Sequence, residues 1–133
     1  MAAIIPENFK DLVTTKLTFA HLGTTMKNGR PQVTPVWFGF DGEHIVLNSA
    51  RGRVKDRNMR ERPHVALSIL DPDNAYRYLQ ILGDIVEITE AGADEHIDSL
   101  AKKYLGQDKY PFRQPGEVRV IYKVRPTKVQ TMG

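Results

Sequence analysis

The sequence predicts a single domain, residues 1–133, that is mainly β: a small barrel of about six antiparallel strands with three short helices. Two turn signals support this fold class, Asn28-Gly29 and Asp41-Gly42, because such pairs tolerate the positive φ angles of tight hairpin turns. The stretches that flank them are rich in β-branched and aromatic residues, as strands are. A chain of 133 residues is the size of one domain and is long enough to bury a core.

The first half of the chain is predicted to form a helix and three strands. Pro6 is tolerated in the first turn of a helix, and Phe9, Leu12 and Val13 would share its apolar face. Because the two turn pairs connect successive strands, the three strands form an antiparallel meander. Their predicted bounds are residues 17–26, 32–40 and 43–49.

The second half is predicted to form two helices and three strands. Pro63 ends the first helix, because the residue before a proline is disfavoured in the helical conformation. The strand that follows is almost continuously apolar, which is typical of a strand buried on both faces. Gly83, inside the next strand, indicates a bulge or a bend. The predicted bounds are residues 53–62 and 93–105 for the helices, and 64–70, 76–89 and 117 to about 125 for the strands.

Several classes of function are excluded by what the sequence lacks. It has no cysteine, which excludes disulfides, thiolate catalysis and cysteine metal sites. None of the four histidines lies three to five residues from another, so no metal site is expected. No nucleophile elbow, Walker loop or Rossmann turn occurs. Without a basic leader or an apolar run of roughly 18 residues, the protein is expected to be cytoplasmic and to have no membrane contact.

Positive charge is concentrated in one short segment. The formal net charge is +3, but residues 51–62 alone hold six basic and two acidic side chains. The rest of the chain is therefore almost neutral. This distribution argues against a nucleic-acid binder coated in positive charge, and it indicates an anion held at one place.

The start of this segment has the features of a phosphate site. A strand runs into a helix here, so the Ser49 hydroxyl, the turn at Gly52 and the free N–H groups of the helix start come together. Arg53 adds a planar guanidinium and Lys55 a compact charge. An alternative interpretation is a solvated helix whose arginines only keep the surface polar.

The strand at residues 32–40 suggests where a flat ligand could lie. Pro35 removes a donor from the strand ladder, which is typical of an edge, a bulge or a ligand-facing position. Backbone groups freed there could meet the polar edge of a heterocycle. Trp37, the only tryptophan, is either part of that surface or a core residue.

In this order, these residues resemble the pyridoxamine 5′-phosphate oxidase-like split-barrel flavoproteins, and within them the branch that uses the deazaflavin coenzyme F420. The resemblance lies in residues 23–74, in residues 76–89 and in the part from residue 101 to the last strand. It implies a six-stranded FMN-binding split β-barrel that forms a homodimer, with two cofactor sites at the subunit interface.

The resemblance also implies roles for individual residues. Ser49, Arg53 and Lys55 would bind the cofactor phosphate, and Asn58 would support the turn. The partner subunit would help to close the site. The acidic tail of the deazaflavin would meet Arg51, Arg57 and Arg60, which is a hypothesis from charge placement. The remaining implied residues are Pro35, Val36 and Trp37 along the ring system, and Tyr76, Tyr78 and Gln80 from the partner.

The implied reaction is hydride transfer from C5 of the reduced deazaflavin to a small conjugated acceptor, such as a quinone or a tetrapyrrole. No side chain is identified as a general acid, so no catalytic residue is assigned. Tyr110 and its loop would line the substrate pocket. Tyr104 would pack the predicted helix at residues 93–105.

Three alternatives remain open. FMN could replace the deazaflavin in the same fold. The protein could instead be a non-catalytic carrier or sensor of a flavin or a haem-like ligand, which a blocked pocket above the ring would indicate. A nucleic-acid-binding barrel is disfavoured, because aromatic residues do not interleave with the basic ones as base stacking requires.

Overall fold

The computed structural model describes residues 2–133, which form a seven-stranded antiparallel sheet with two α-helices and one 3-10 helix. None of the helices within this part of the chain is long and apolar enough to cross a membrane. The helices are the 3-10 helix Glu7–Leu12, α1 (Val54–Glu61) and α2 (Ala93–Leu105). The strands are β1 (Ala20–Thr25), β2 (Pro31–Val36), β3 (Phe38–Phe40), β4 (Ile45–Ala50), β5 (His64–Asp71), β6 (Asn74–Thr89) and β7 (Arg119–Met132).

The order of the strands shows that the sheet curls into a split barrel. The order is β2-β1-β5-β6-β7-β4-β3, so β2 and β3 are the two edge strands. Only Trp37 separates these edges along the chain. The sheet must therefore curl until its two edges meet at this residue, and the split of the barrel begins there.

The predicted fold class is confirmed, while the number of strands is corrected. The prediction of six strands is wrong because the stretch 32–40 breaks at Trp37 into β2 and β3, which lie on opposite edges. The opening helix is present as a 3-10 helix. The last strand runs to Met132, well past its predicted end, because it pairs with β6 along its second half.

The core lies inside the curl. Strand β5 shows the pattern: Val65, Leu67 and Ile69 point inward and are buried, whereas the residues between them are exposed. The prediction that β5 is buried on both faces is therefore wrong for the single chain, since no element within residues 2–133 covers its outward face. The largest fully buried side chains are Tyr122, Phe38, Leu12, Leu22, Ile45, Leu47, Met59, Leu67, Ile69, Leu79, Ile81 and Val13.

Gly83 marks a β-bulge, as its position in a long strand indicated. The register between β6 and β7 shifts between Leu82 and Gly83. A Cβ atom at Gly83 would lie 2.5 Å from Cγ1 of Val124 and 2.9 Å from the carbonyl oxygen of Arg125. Only glycine lets the two strands approach this closely, and the bulge helps β6 to bend around the core.

A group of charged side chains, here called the clamp cluster, fastens the 3-10 helix to β5 and β6. Its members are Lys16, Arg77, Asp11, Asp71 and Asp73. Asp71 is 3% exposed and accepts from Lys16 Nζ at 2.8 Å and from Arg77 Nη1 at 2.7 Å. Arg77 also donates to Asp11 at 2.7 Å, so every charge in the cluster has an opposite charge in contact.

Candidate functional site

A cleft of about 230 Å³ opens where the barrel is split. Strand β3 pairs with β4 only as far as Leu47, so residues 48–50 of β4 have β7 on one side and no strand on the other. The free edge of β2 faces this gap. The cleft is lined by Phe19, Pro35, Val36, Trp37, Asn48, Ser49, Arg53, Lys55, Ile97, Tyr110, Phe112 and Arg119.

The cleft holds more positive than negative charge. Arg53, Lys55 and Arg119 line it, and Glu117 is the one carboxylate that contacts them among residues 2–133. Both guanidinium groups lie 3.2 Å from the same Glu117 oxygen. Lys55 Nζ donates to the hydroxyl of Thr34 at 2.9 Å instead of to a carboxylate. Burial, together with the charges of Arg53 and Arg119, lowers the pKa of Lys55. We call this group of four charged side chains the cleft cluster. Its one carboxylate balances only one of its three positive charges.

Buried polar atoms without a hydrogen-bond partner lie in the same place. Ser49 Oγ and Arg119 Nη1 belong to residues that are 3% and 4% exposed, and neither atom makes a hydrogen bond. The Nη1 atom is close to Glu117, but its N–H bonds are not aligned with that oxygen. Because a buried donor without a partner costs about 1–3 kcal/mol, such atoms are typical of a site completed by a ligand.

Hydrogen bonds to the buried Asp56 carboxylate fix the turn between β4 and α1. Gly52 has a φ angle of +90°, which favours glycine, and its N–H donates to the buried Asp56 carboxylate at 2.9 Å. The hydroxyl of Tyr122 on β7 and Arg60 Nε donate to the same carboxylate. Burial and this carboxylate raise the pKa of Tyr122, so its hydroxyl stays protonated and remains a donor. These bonds fix the residues that present Ser49 and Arg53 to the cleft.

Aromatic side chains form one wall of the cleft. Trp37 stacks on Tyr104, with ring centroids 5.2 Å apart and an angle of 5° between the planes. Tyr110 meets Trp37 edge-on at 6.0 Å, and Phe112 meets Tyr110 edge-on at 5.7 Å. The Tyr104 hydroxyl donates to the carbonyl of Thr18 at 2.6 Å, which fixes the stack. The result is a flat apolar surface beside the cationic end of the cleft.

The structure brings together most of the residues predicted to bind a cofactor. Ser49, Arg53 and Lys55 line the cleft. So do Pro35, Val36 and Trp37, which lie where the chain passes from β2 to β3. Tyr110 lines it as well, whereas Tyr104 packs behind Trp37.

Four predicted residues lie elsewhere. Asn58 is buried and donates to the Thr24 hydroxyl at 3.0 Å, so it fastens α1 to β1 without reaching the cleft. Tyr76, Tyr78 and Gln80 lie on the outward face of β6, because the intervening Leu79 and Ile81 point into the core.

Some cleft residues escaped the sequence analysis. Arg119 begins β7 and resembles the other basic residues that alternate along this strand. Only the pairing of Ala50 with Arg119 brings it beside Ser49, and no local pattern shows that pairing. The other missed residues are Phe19, Asn48, Ile97 and, in contact with the cations, Glu117, whereas Phe112 lies in the loop around Tyr110 that is predicted to line the pocket.

The three arginines assigned to an acidic tail are not equivalent. Arg51 pairs with Glu90 at 2.7 Å, and Arg60 pairs with the buried Asp56 at 2.9 Å. Arg57 is exposed and makes no ion pair within residues 2–133. Arg57 is therefore the member of the three whose charge is available. Nowhere in the same range do three or more histidine, aspartate or glutamate side chains converge as a metal would require.

Comparisons with known proteins agree with this architecture. The family model described as pyridoxamine 5′-phosphate oxidase matches residues 5–133. A solved structure named F420 reductase is 34% identical, covers 95% of this chain and 98% of its own, and superposes with a TM-score of 0.83. A conserved hypothetical protein from Mycobacterium tuberculosis is 22% identical, covers 98% of this chain and 86% of its own, and shares the fold with a TM-score of 0.73. No curated protein matches the sequence.

Proposed function

We propose that this chain, which belongs to the pyridoxamine 5′-phosphate oxidase family, is an oxidoreductase that uses coenzyme F420. The observation that carries the proposal is the cleft, where three cations and one carboxylate, which contacts two of them, lie beside a flat aromatic wall. Coenzyme F420 combines a phosphate with a planar ring system, and these are the two chemical groups that such a cleft fits. The solved F420 reductase at 34% identity supports the choice of cofactor.

The cationic end fits the phosphate. Ser49 Oγ and Arg119 Nη1 are buried donors without partners, and Arg53 and Lys55 supply further charge-assisted donors. An anion bound here would offset the excess positive charge of the cleft cluster and accept from both orphaned donors, whereas the third orphaned atom of the cluster, Glu117 Oε2, is an acceptor that an anion does not satisfy. The donor set therefore matches the group that it would bind.

The aromatic end fits the ring system. Pro35 and Val36 lie on an edge strand whose outer side has no neighbouring strand, so its backbone polar groups are available to a heterocycle. Trp37 is fixed by its stack on Tyr104 and offers a flat boundary. When bound, the reduced deazaflavin supplies a hydride to a conjugated unsaturated acceptor such as a quinone or a tetrapyrrole. The chain contributes by orienting the two reactants and by excluding water from the aromatic end of the cleft.

We further propose that the site is completed in a homodimer. The cleft of about 230 Å³ is smaller than the roughly 300–1,000 Å³ of typical ligand pockets. On the outward face of the sheet, Val33, Tyr76 and Leu82 are exposed at 63%, 77% and 38%. The apolar pattern of β5 fits a strand whose second face is covered in this way.

The register of the sheet explains why a partner would supply Tyr76, Tyr78 and Gln80. Pro35 pairs with His21, His21 with Ser68, and Ser68 with Gln80. Gln80 therefore lies three strand spacings, about 14 Å, from the Pro35 of its own cleft. A second copy packed on this face would bring its own β6 to the rim of the cleft.

Sedimentation analysis tests the dimer. The wild-type chain is expected to sediment as a dimer, and Leu82→Asp as a monomer with weakened cofactor binding. Leu105→Asp is the matched control, because Leu105 is similarly exposed at the end of α2, away from the outward face. A monomeric wild-type protein that binds cofactor with full affinity would contradict the dimeric site.

Equilibrium dialysis with F420 and with FMN tests the choice of cofactor. The proposal predicts that F420 binds, and tight binding of FMN without F420 would overturn it in favour of an FMN protein of the same fold. Oxidation of reduced F420 with a panel of quinones and tetrapyrroles then tests for catalysis. Binding without oxidation by any of these acceptors would favour a carrier.

A further inference from the structure

A chain of three side chains leads from the cleft to a second cavity beneath α2. Arg119 Nε donates to Asn48 Oδ1 at 2.9 Å. Asn48 Nδ2 donates to the carbonyl of Ala93 at 2.9 Å and lies 3.1 Å from His96 Nδ1. His96 lines a separate cavity of about 460 Å³ between β3 and α2. The proposed function assigns no role to His96.

The donors and acceptors in this chain fix the protonation of His96. A guanidinium nitrogen can only donate, so the Asn48 oxygen must face Arg119 and the amide nitrogen must face away from it. The amide nitrogen is also a donor, so His96 Nδ1 must accept. An imidazole whose Nδ1 accepts is neutral and carries its proton on Nε2.

We propose that His96 is a positioning residue that, through Asn48, orients the Arg119 guanidinium in the cleft. Asn48 is the only hydrogen-bond partner of the Arg119 side chain within residues 2–133, and Glu117 contacts it without an aligned hydrogen bond. The orientation of the orphaned Nη1 atom thus depends on the orientation of the Asn48 amide. The consequence for cofactor affinity rests on the proposed function, whereas the protonation of His96 does not.

Protonation of His96 would break this arrangement. A proton on Nδ1 would face the Asn48 NH₂ group, and the amide would have to turn its oxygen to His96 and its nitrogen to Arg119 Nε, where two donors would meet. Burial and the Arg119 charge on β7 lower the pKa of His96. The other charged groups that share its cavity are Lys103 on α2 and Asp41 in the turn before β4. Acidification should therefore weaken anion binding, although the added positive charge alone would strengthen it.

Nitrogen NMR of the wild-type protein tests the first link without any cofactor. Long-range ¹H–¹⁵N spectra at pH 8 should show His96 protonated on Nε2, with a titration midpoint below the usual value of ~6.5. A His96 ring protonated on Nδ1 at pH 8 would overturn the proposal.

Variants test the second link, with F420 affinity measured from pH 8 to one unit below the His96 midpoint found by NMR. His96→Leu removes the acceptor and should weaken binding about fivefold at neutral pH. His96→Asn places an amide oxygen where Nδ1 lies, so it should bind as the wild type does at neutral pH and bind more tightly than the wild type below that midpoint. His44→Asn is the matched control, because His44 contacts Asp41 and neither Asn48 nor Arg119.

The outcomes separate the two proposals. Wild-type and His96→Asn proteins with the same affinity at one pH unit below the His96 midpoint would overturn the role of His96, even if His96→Leu fails to fold. A wild-type protein that binds no F420 at any pH would instead overturn the proposed function, and the NMR spectra would still decide how His96 is protonated.

Discussion

The clamp cluster and the cleft cluster are both built from partly buried charges, yet their charge balance differs. The clamp cluster has two cations and three carboxylates, with contacts of 2.7 to 3.1 Å. The cleft cluster has three cations and one carboxylate, and its contacts are 3.2 Å long. Every charge of the first cluster has an opposite charge in contact within residues 2–133, whereas the second carries an excess of positive charge.

The pKa shifts favour the charged forms in the clamp cluster and disfavour the charged form of Lys55 in the cleft cluster. Hydrogen bonds from Lys16 and Arg77 lower the pKa of Asp71, and bonds to Asp11 and Asp71 raise the pKa of Arg77. Each shift favours the charged form, so these charges stabilise the fold. In the cleft, burial and like charges lower the pKa of Lys55, which disfavours its charged form. Within residues 2–133, a cation without a carboxylate partner, and not the density of charge, therefore distinguishes the proposed binding site from the structural cluster.

Replacing one lysine in each cluster should give the largest contrast. Lys55→Met is expected to weaken F420 binding about 10- to 100-fold, because a charge-assisted hydrogen bond contributes about 1.5–3 kcal/mol. It should leave Tm unchanged or raise it, since the buried charge is repelled by its neighbours. Lys16→Met should do the opposite, lowering Tm without changing affinity. Calorimetric titration measures the affinity of both variants, and thermal unfolding measures their Tm. Equal losses of affinity in the two variants would contradict the predicted difference between the clusters.

Removing the central carboxylate of the clamp cluster should affect stability alone. Asp71→Asn is expected to lower Tm by about 5 °C at pH 7, because Lys16 and Arg77 lose a shared partner. Since the folded pKa of Asp71 is depressed, its contribution is present above the unfolded value of ~3.9 and is lost as the pH falls further. The difference in Tm between variant and wild type should therefore shrink from pH 7 to pH 3. A difference that stays constant over this range would contradict the assigned role of the ion pairs.

Removing the carboxylate of the cleft cluster should increase the excess of positive charge in the cleft. Glu117→Gln leaves Arg53 and Arg119 without their shared anion, so phosphate-containing ligands should bind about fivefold more tightly at low salt. The ligand-free protein should become less stable for the same reason. Glu90→Gln is the matched control, because Glu90 pairs with the exposed Arg51 outside the cleft. If Glu117→Gln weakens binding, the carboxylate is itself part of the binding site.

The smallest effect is expected at the surface arginine. Arg57→Ala should weaken the binding of a deazaflavin with a glutamate tail about twofold to threefold, and the effect should vanish at high salt. FMN, which has no such tail, should bind both proteins equally. Arg51→Ala is the comparison, because Glu90 already engages Arg51. An equal loss for both ligands would exclude the tail as the group that Arg57 contacts.

Sequence patterns predicted the parts of the site that are local in the chain. Ser49, Arg53 and Lys55 lie within seven residues of one another, so a strand end followed by a helix start brings them together without knowledge of the fold. The hairpin signals likewise depend on adjacent residues. Arg119 could not be identified, because it reaches the cleft only through the pairing of β4 with β7.

The strand break and the outward face of the sheet also depend on long-range structure. Residues on both sides of Trp37 favour strands, and although Pro35 indicates an edge or a bulge, no local pattern shows that the chain crosses there from one edge to the other. The apolar run of β5 predicts burial on both faces, whereas residues 2–133 bury only one. An apolar sequence pattern does not report which neighbouring element, if any, covers each face of a strand.

Fluorescence of Trp37 reports directly on whether the split of the barrel binds a deazaflavin through the cleft cluster, as we propose. Trp37 is the only tryptophan and lines the cleft beside the cations. Titration with F420 should quench its emission with saturation in the wild-type protein and in Lys16→Met, whereas Lys55→Met should require about 10- to 100-fold more ligand. Emission that stays unchanged in the wild type, or the same curve for Lys55→Met, would contradict the account.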